Sequence, residues 1–235
     1  MTDGLLRVAT WNIHRGRGLL GPFRPGRIAE VIAEMVPDLL ALQEAQHYFR
    51  RGDGMLDAEV LARDCGLRLL RVVSGEQGFR SNLLLARAHV LLRQGPIGLK
   101  LGGWEPRGAI LAELEAGRGP FRVLAAHLSL GSGRRAIQAG ALLAAARAAP
   151  EVPTLLLADI NDPWPNGAAL QLLAEGFGTS PSCPTYPAPR PLLALDRILS
   201  HPPGRVSAWR VHDTPQARRA SDHLPLLASF DATSG

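Results

Sequence analysis

The stretch LLLADINDPW, residues 155–164, leaves an unbroken apolar run by presenting Asp159, Asn161 and Asp162 together. Other apolar runs of the chain end in the same way. ATWNIH delivers Asn12, LLALQE delivers Glu44, LAAHLSL delivers His127, and ASDHLPL opens the last run with Asp222 and His223. One such end is ordinarily a turn or a helix cap. Five in one chain point to a shared site, because function concentrates at strand ends and the loops beyond them. Glu44, Asp159 and Asp222, with Asn12, make an all-oxygen donor set. That is the ligand type magnesium and manganese prefer, often shared with a substrate phosphate. The histidines are too few and too scattered for a three-histidine zinc centre, and His127 and His223 suit proton carriers or stabilisers of developing negative charge. Cleavage of a P–O bond needs such parts: a cation at the phosphate, a carboxylate to direct water, and a donor for the leaving oxygen.

The elements that must position these residues are short. Ten apolar runs read as strands: LLRVATWNI, DLLALQE, LRLLRVV, NLLLAR, AILAEL, FRVLAAHLSL, TLLLADI, LALDRIL, RVSAWRV and HLPLLASF. Each is bounded by Gly, Pro, Asp or Asn or lies close to one. Helical periodicity falls between them, over 25–35 with Ile28, Val31, Ile32 and Met35 on one face, over the Ala- and Leu-rich 134–149, and over the shorter 55–65 and 166–175. Strands that are apolar on both faces need cover on both, so the pattern predicts two packed sheets with helices outside. The Pro-rich PSCPTYPAPRP at 181–191 is the nearest thing to a linker, but it is short and abuts the next apolar run, so one domain over 1–235 is expected.

Composition narrows the classes. The N-terminus has no basic start, long apolar middle or cleavage site, and no apolar run reaches membrane-spanning length, which predicts a cytoplasmic protein. Cys65 and Cys183 fit no zinc or redox spacing. The net charge of +5 suits a phosphate-bearing partner. Lys100 is the single lysine and the arginines are spread along the chain without a run, so the charge alone is weak support for DNA binding.

The order TWNIH … LQE … EPRGAI … AAHLSL … ADIND … LDRIL … SDHLPL resembles the endonuclease/exonuclease/phosphatase superfamily, from residue 8 to about 230. The resemblance implies a four-layered α/β sandwich, two packed mixed β-sheets flanked by helices, with divalent metal (magnesium or manganese) between the tops of the sheets. It implies that Glu44 is the principal metal ligand, with Asn12 beside it and Asp222 completing the shell. Asp159 would orient or deprotonate the attacking water, and Asn161 would hold a phosphate oxygen. His223 would face the phosphorus, oriented by Asp196 of LDRIL. His127 would stabilise the leaving group, and Arg107 of EPRGAI would approach the phosphate. The implied activity is a metal-dependent phosphodiesterase with nucleic acid as first substrate class. A phospholipid headgroup or small phosphorylated metabolite is the alternative, and a non-catalytic nucleic-acid-binding module the third reading.

Several positions depart from the family pattern or carry weaker signals. Ala158 replaces the usual glycine before the aspartate. Arg80 stands near where nuclease-like members place a glutamate for the first histidine, which puts a His–Glu pair at His127 in doubt. Arg197 follows Asp196 where abasic-site enzymes commonly have tyrosine. Asn82 reads equally as a site residue or a strand entry. Trp164 is a candidate for stacking on substrate, whereas Trp104 and Trp209 read as packing or interface residues. Arg134, Arg135 and Gln138 read first as a solvated helix face and second as phosphate contacts. His14 and Arg15 are candidates to line the pocket. His47, His89, His201 and His212 match no motif and are expected at the surface.

Overall fold

A computed structural model of the chain describes residues 4–45, 54–102 and 106–233. Among these, two mixed sheets form the centre. The first has six strands in the order β10 (Val206–Val211), β11 (Leu226–Phe230), β1 (Leu6–Asn12), β2 (Leu39–Gln43), β4 (Leu83–Arg87) and β3 (Leu67–Leu69). The second has five in the order β5 (Leu91–Gly102), β6 (Arg107–Ala116), β7 (Gly119–His127), β8 (Thr154–Asp159) and β9 (Asp196–His201). Helices α1 (Gly26–Met35), α2 (Ala58–Cys65) and α5 (Pro215–Ala220) cover the first sheet, and α3 (Ser132–Arg147) and α4 (Ala168–Phe177) cover the second. This is the expected four-layered sandwich.

Strand alternation explains the layering. In β1, Leu6 and Val8 point between the sheets while Ala9 and Trp11 face the helices; in β2, Leu39 and Ala41 point inward and Leu40 and Leu42 outward. In β8, Leu155 and Leu157 join the inter-sheet core and Leu156 and Ala158 pack on α3 and α4. Because successive side chains alternate, continuing the inward row reaches Asn12 in β1 by way of Thr10, His127 in β7 and Asp159 in β8. Asp196 opens β9 on the row of inward-facing Ile198. The polar residues are therefore the open end of the inter-sheet core.

Register brings them level. β1 pairs parallel with β2, Asn12 against Gln43. β7 pairs parallel with β8, His127 against Asp159, and β9 pairs antiparallel with β8, Asp196 against Asp159. β11 runs antiparallel to β1, so Asp222 and His223, which precede it, fall beside the end of β1.

All ten apolar runs fall on strands, and four helices lie where periodicity places them within a few residues. Two elements escape the pattern. β5 is an edge strand that is mostly exposed and contains Gly95, Pro96 and Gly98, so it has no apolar run to read. α5 is six residues long, starts with Pro215 and is capped by the Thr214 hydroxyl accepting from the Ala217 N–H, 3.1 Å. The Pro-rich segment at 181–191 packs into the fold: Thr185 and Ala188 are fully buried, and the Thr185 carbonyl accepts from the Leu224 N–H at 2.8 Å. No helix among the described residues is long and apolar enough to cross a membrane.

Candidate active site

Asp159 is the hub. Its side chain is fully buried, and its two oxygens are held by different neighbours. Oδ1 accepts from the Asn161 backbone N–H at 2.9 Å, and Oδ2 accepts from the Asn12 side-chain amide at 2.9 Å. The same Oδ2 lies 3.5 Å from His127 Nε2 and 3.9 Å from His223 Nε2. Burial raises the Asp159 carboxyl pKa, opposed by His127; Asp196 adds to the rise, and His223 and Asn12 oppose it. A carboxylate so placed is a better base than an exposed one.

The two histidines carry opposite charge states. His223 donates from Nδ1 to Asp196 Oδ2 at 2.9 Å. Burial alone would lower its pKa, but the Asp196 charge and hydrogen bond outweigh it, and with Asp159 and Asp222 they push it up to about 10. His127 is pushed down to about 4, by burial first, against the pull of Asp159 and with Arg107 adding to the fall. An Arg107 guanidinium nitrogen lies 2.9 Å from His127 Nδ1. Arginine can only donate, so Nδ1 accepts from it, while the Asn161 side-chain amide stands at the other ring nitrogen. His127 is thus held neutral, not as the charged proton carrier its type suggests. The Asn161 side-chain nitrogen is 2.9 Å from both His127 Nε2 and the Leu128 carbonyl, and the residue holds a positive φ of 56°.

Second-row contacts fix the His223–Asp196 pair. The Thr185 hydroxyl donates to Asp196 Oδ2 at 2.6 Å, Tyr186 packs on the His223 ring with centroids 4.9 Å apart, and Trp11 Nε1 donates to the His223 carbonyl at 2.8 Å. The Ser221 hydroxyl donates to the Asn12 carbonyl at 2.7 Å and accepts from the His223 N–H. None of these was assigned from sequence. Thr185 and Tyr186 sit in the Pro-rich piece that resembled a linker, and Ser221 of SDH carried a signal only through its neighbours.

Glu44 and Asp222 lie on the solvent side. Glu44 holds a positive φ of 51°. His14 Nδ1 is 3.7 Å from Asp222 Oδ1, and Arg15 Nε is 3.8 Å from Glu44 Oε2, so both loop residues reach the site. Burial raises the Asp222 pKa; His223 and His14 oppose this, and the negative charge of Glu44 adds to it. Two carboxylates that repel one another are what a divalent cation relieves, and they fit one as hard oxygen donors. Asn12 fits less directly, because its oxygen already accepts from the His14 N–H at 3.0 Å. Asp159, Asp196 and His223 form another cluster, with possible ligand atoms within 4.8 Å of one another. There Asp196 Oδ2 is already bonded to His223 Nδ1 and to the Thr185 hydroxyl, the arrangement of a hydrogen-bonded charge pair.

A model of the Endonuclease/Exonuclease/phosphatase family matches residues 9–223. The chain belongs to this family. Its members are phosphoesterases. No curated protein matches. The fold is similar to that of an endonuclease/exonuclease/phosphatase from Beutenbergia cavernae DSM 12333 (TM-score 0.75, 22% identity, 98% of this chain and 72% of that one). It is also similar to D. rerio TDP2 complexed with single strand DNA product (0.73, 16%, 97% and 100%). A third likeness is to the mannosyl-6-phosphatase Bt3783 of Bacteroides thetaiotaomicron VPI-5482 (0.71, 17%, 95% and 98%).

Other sequence expectations for this family member fall outside the pocket. The Asn82 side-chain nitrogen donates to the Phe79, Arg80 and Gly108 carbonyls at 3.2, 3.1 and 3.0 Å, so it ties a turn to the start of β6, next to Arg107. Gly108 is required there, since a Cβ would sit 2.8 Å from both the Arg80 and Phe79 side chains. Arg80 packs over the Phe79 ring, and His127 takes Arg107 in place of a glutamate. Arg134 is exposed, but Arg135 and Gln138 are buried, contrary to a solvated face. Arg135 faces Asp162 at 3.5 Å, and Gln138 clamps the Ser129 backbone. Trp209 donates to the Ile198 carbonyl and packs on the core. Trp164 is 69% exposed. His212 is buried against Glu34 at 2.9 Å rather than lying at the surface, His201 is half-buried and bonded to the Gly176 carbonyl, and His89 sits outside beside Asp38. His47 and Trp104 lie outside the described residues.

Proposed function

We propose that this family member is a divalent-metal-dependent hydrolase of phosphodiester bonds. The observation that carries the reading is Asp159, a buried carboxylate held between a cationic His223 and a neutral His127, with the carboxylate pair Glu44 and Asp222 at the pocket mouth. Glu44 and Asp222, with Asn12 beside them, would hold magnesium or manganese, which supplies neutralisation of phosphate charge. Asp159 accepts the proton of the attacking water as its oxygen bonds to phosphorus. His223 donates from Nε2 to a non-bridging phosphate oxygen, its charge maintained by Asp196. As the bond to the leaving oxygen breaks, that oxygen takes a proton from water beside the neutral His127 ring, which Arg107 fixes from the other side. Asn161 holds a further phosphate oxygen.

Nucleic acid is the first substrate class to test, supported by the basic charge, exposed Trp164 and the likeness to a DNA-bound structure. A phospholipid headgroup or a small phosphorylated metabolite is the second, the latter supported by the likeness to a mannosyl-6-phosphatase. A panel of plasmid, abasic duplex, single strands, sphingomyelin, phosphatidylinositol and bis-p-nitrophenyl phosphate, each with magnesium, tests the reading. Turnover of at least one phosphodiester is expected. No turnover of any of them would sink it.

A further inference from the structure

Among the described residues, the large apolar side chains most open to solvent lie on loops and a helix start at one end of the sandwich. Leu20 is 99% exposed, Leu130 and Ile137 74% each, Trp164 69% and Leu192 64%. Leu20 lies in the loop that follows Asn12, and Leu130 three residues past His127. Ile137 is in the second turn of α3, which begins beyond that loop. Trp164 follows Asp159 by five residues, and Leu192 precedes Asp196 by four. The strand directions put these loops at the same end of the sandwich as the site. Single exposed leucines are ordinary, but a cluster around a pocket marks an interaction surface.

Arginines accompany them. Arg24, Arg134, Arg190 and Arg219 are exposed on the same loops and helix ends. In those described loops Asp162 is buried beside Arg135, Asp213 is bound to Arg218 at 2.5 Å, and Asp222 belongs to the site. Apolar tips among arginines complement a layer with acyl chains beneath anionic headgroups. Leucine enters the headgroup–acyl boundary, and arginine pairs with phosphate above it. Nucleic acid matches less well, since leucine has no π face on which a base can stack, and among these five side chains only Trp164 supplies one.

We propose that this rim docks the protein on an anionic phospholipid surface and brings headgroup phosphodiesters to the pocket. The docking stands on the rim itself; delivery of a headgroup rests on the phosphodiesterase reading and chooses between its two substrate classes.

The test is sedimentation of the full chain with vesicles of phosphatidylcholine and phosphatidylserine, against phosphatidylcholine alone. Binding is expected to the anionic vesicles and to weaken with salt. Each buried leucine contributes on the order of 10-fold in partitioning, so Leu20→Glu with Leu192→Glu should lose about 100-fold or more. The milder Leu20→Ser with Leu192→Ser should lose less in the same direction. Ile97→Glu, a 50% exposed position on edge strand β5 away from the rim, should bind as the parent does. Turnover of soluble bis-p-nitrophenyl phosphate, measured alongside, should survive in all three variants. Its absence from the parent protein would count against the hydrolase reading and leave the vesicle result standing. Docking is overturned if the parent stays in the supernatant with anionic vesicles, or if the leucine variants sediment as it does. It is equally overturned if the leucine variants lose affinity for a single-stranded oligonucleotide that the parent binds more tightly than vesicles.

Discussion

His127 and His223 are the same residue type in the same pocket, and their partners make them electrically opposite. Asp196 holds His223 protonated up to about 10, whereas burial and Arg107 keep His127 neutral down to about 4. The sign follows from these shifts. Between the unfolded value of about 6.5 and about 10, the folded state holds a proton on His223 that the unfolded chain has lost. That contribution to stability is complete below about 6.5 and fades as pH rises through 10. Asp196→Asn removes the charge but keeps the shape, so the alkaline limb of the pH–rate profile should move to lower pH. Turnover should fall and the magnesium titration should change little; an unmoved limb with weakened metal binding would make Asp196 a ligand instead. His223→Ala should lower turnover by roughly 100- to 1,000-fold, the usual effect of losing one donor to a developing oxyanion. For His127 the expectation is an NMR signal that stays neutral through pH 6.5, and an ordinary titration there would refute the Arg107 pairing. Thr185→Val leaves Asp196 with one donor fewer in a buried place, at a stability cost of about 1–3 kcal/mol by denaturant unfolding, while Thr185→Ser should restore it.

At the scale of elements, the inward row of each strand decides what the sequence can and cannot reveal. Asn12, His127 and Asp159 were legible because they end apolar runs, and the alternation of β1, β7 and β8 carries them to the inter-sheet mouth. Asp196 was legible only through the family resemblance, since nothing in LDRIL alone marks it. β5 was invisible because an edge strand has no need of an apolar face, and α5 because six polar-rich residues offer too little periodicity. Burial of Arg135, Gln138 and His212 was missed because their partners, Asp162, Ser129 and Glu34, are distant in sequence or come from loops with no local signature. Asn82 shows the same limit: a polar residue entering a strand turned out to be a clamp with three carbonyl partners. Asn82→Ala should destabilise the fold by about 1–3 kcal/mol, because buried carbonyls lose their donor. It should also lower turnover by releasing the strand start that holds Arg107; unchanged unfolding and unchanged turnover together would deny the clamp.

The whole molecule is two sheets whose shared core stops short at one end, leaving carboxylates, imidazoles and amides where apolar side chains would otherwise continue. An open end of this kind concentrates negative charge from Glu44, Asp159, Asp196 and Asp222 within a chain whose net charge is +5. Such a concentration is stable and useful when a divalent cation shares it, which makes metal dependence the central claim. The direct measurement is hydrolysis of bis-p-nitrophenyl phosphate by chelator-treated, metal-free protein during a titration with magnesium or manganese, beside Glu44→Gln. The account predicts no turnover in excess chelator, recovery on adding metal, and a Glu44→Gln variant that needs far more metal to recover. Full turnover in excess chelator, or a Glu44→Gln titration that overlays the parent, would contradict it.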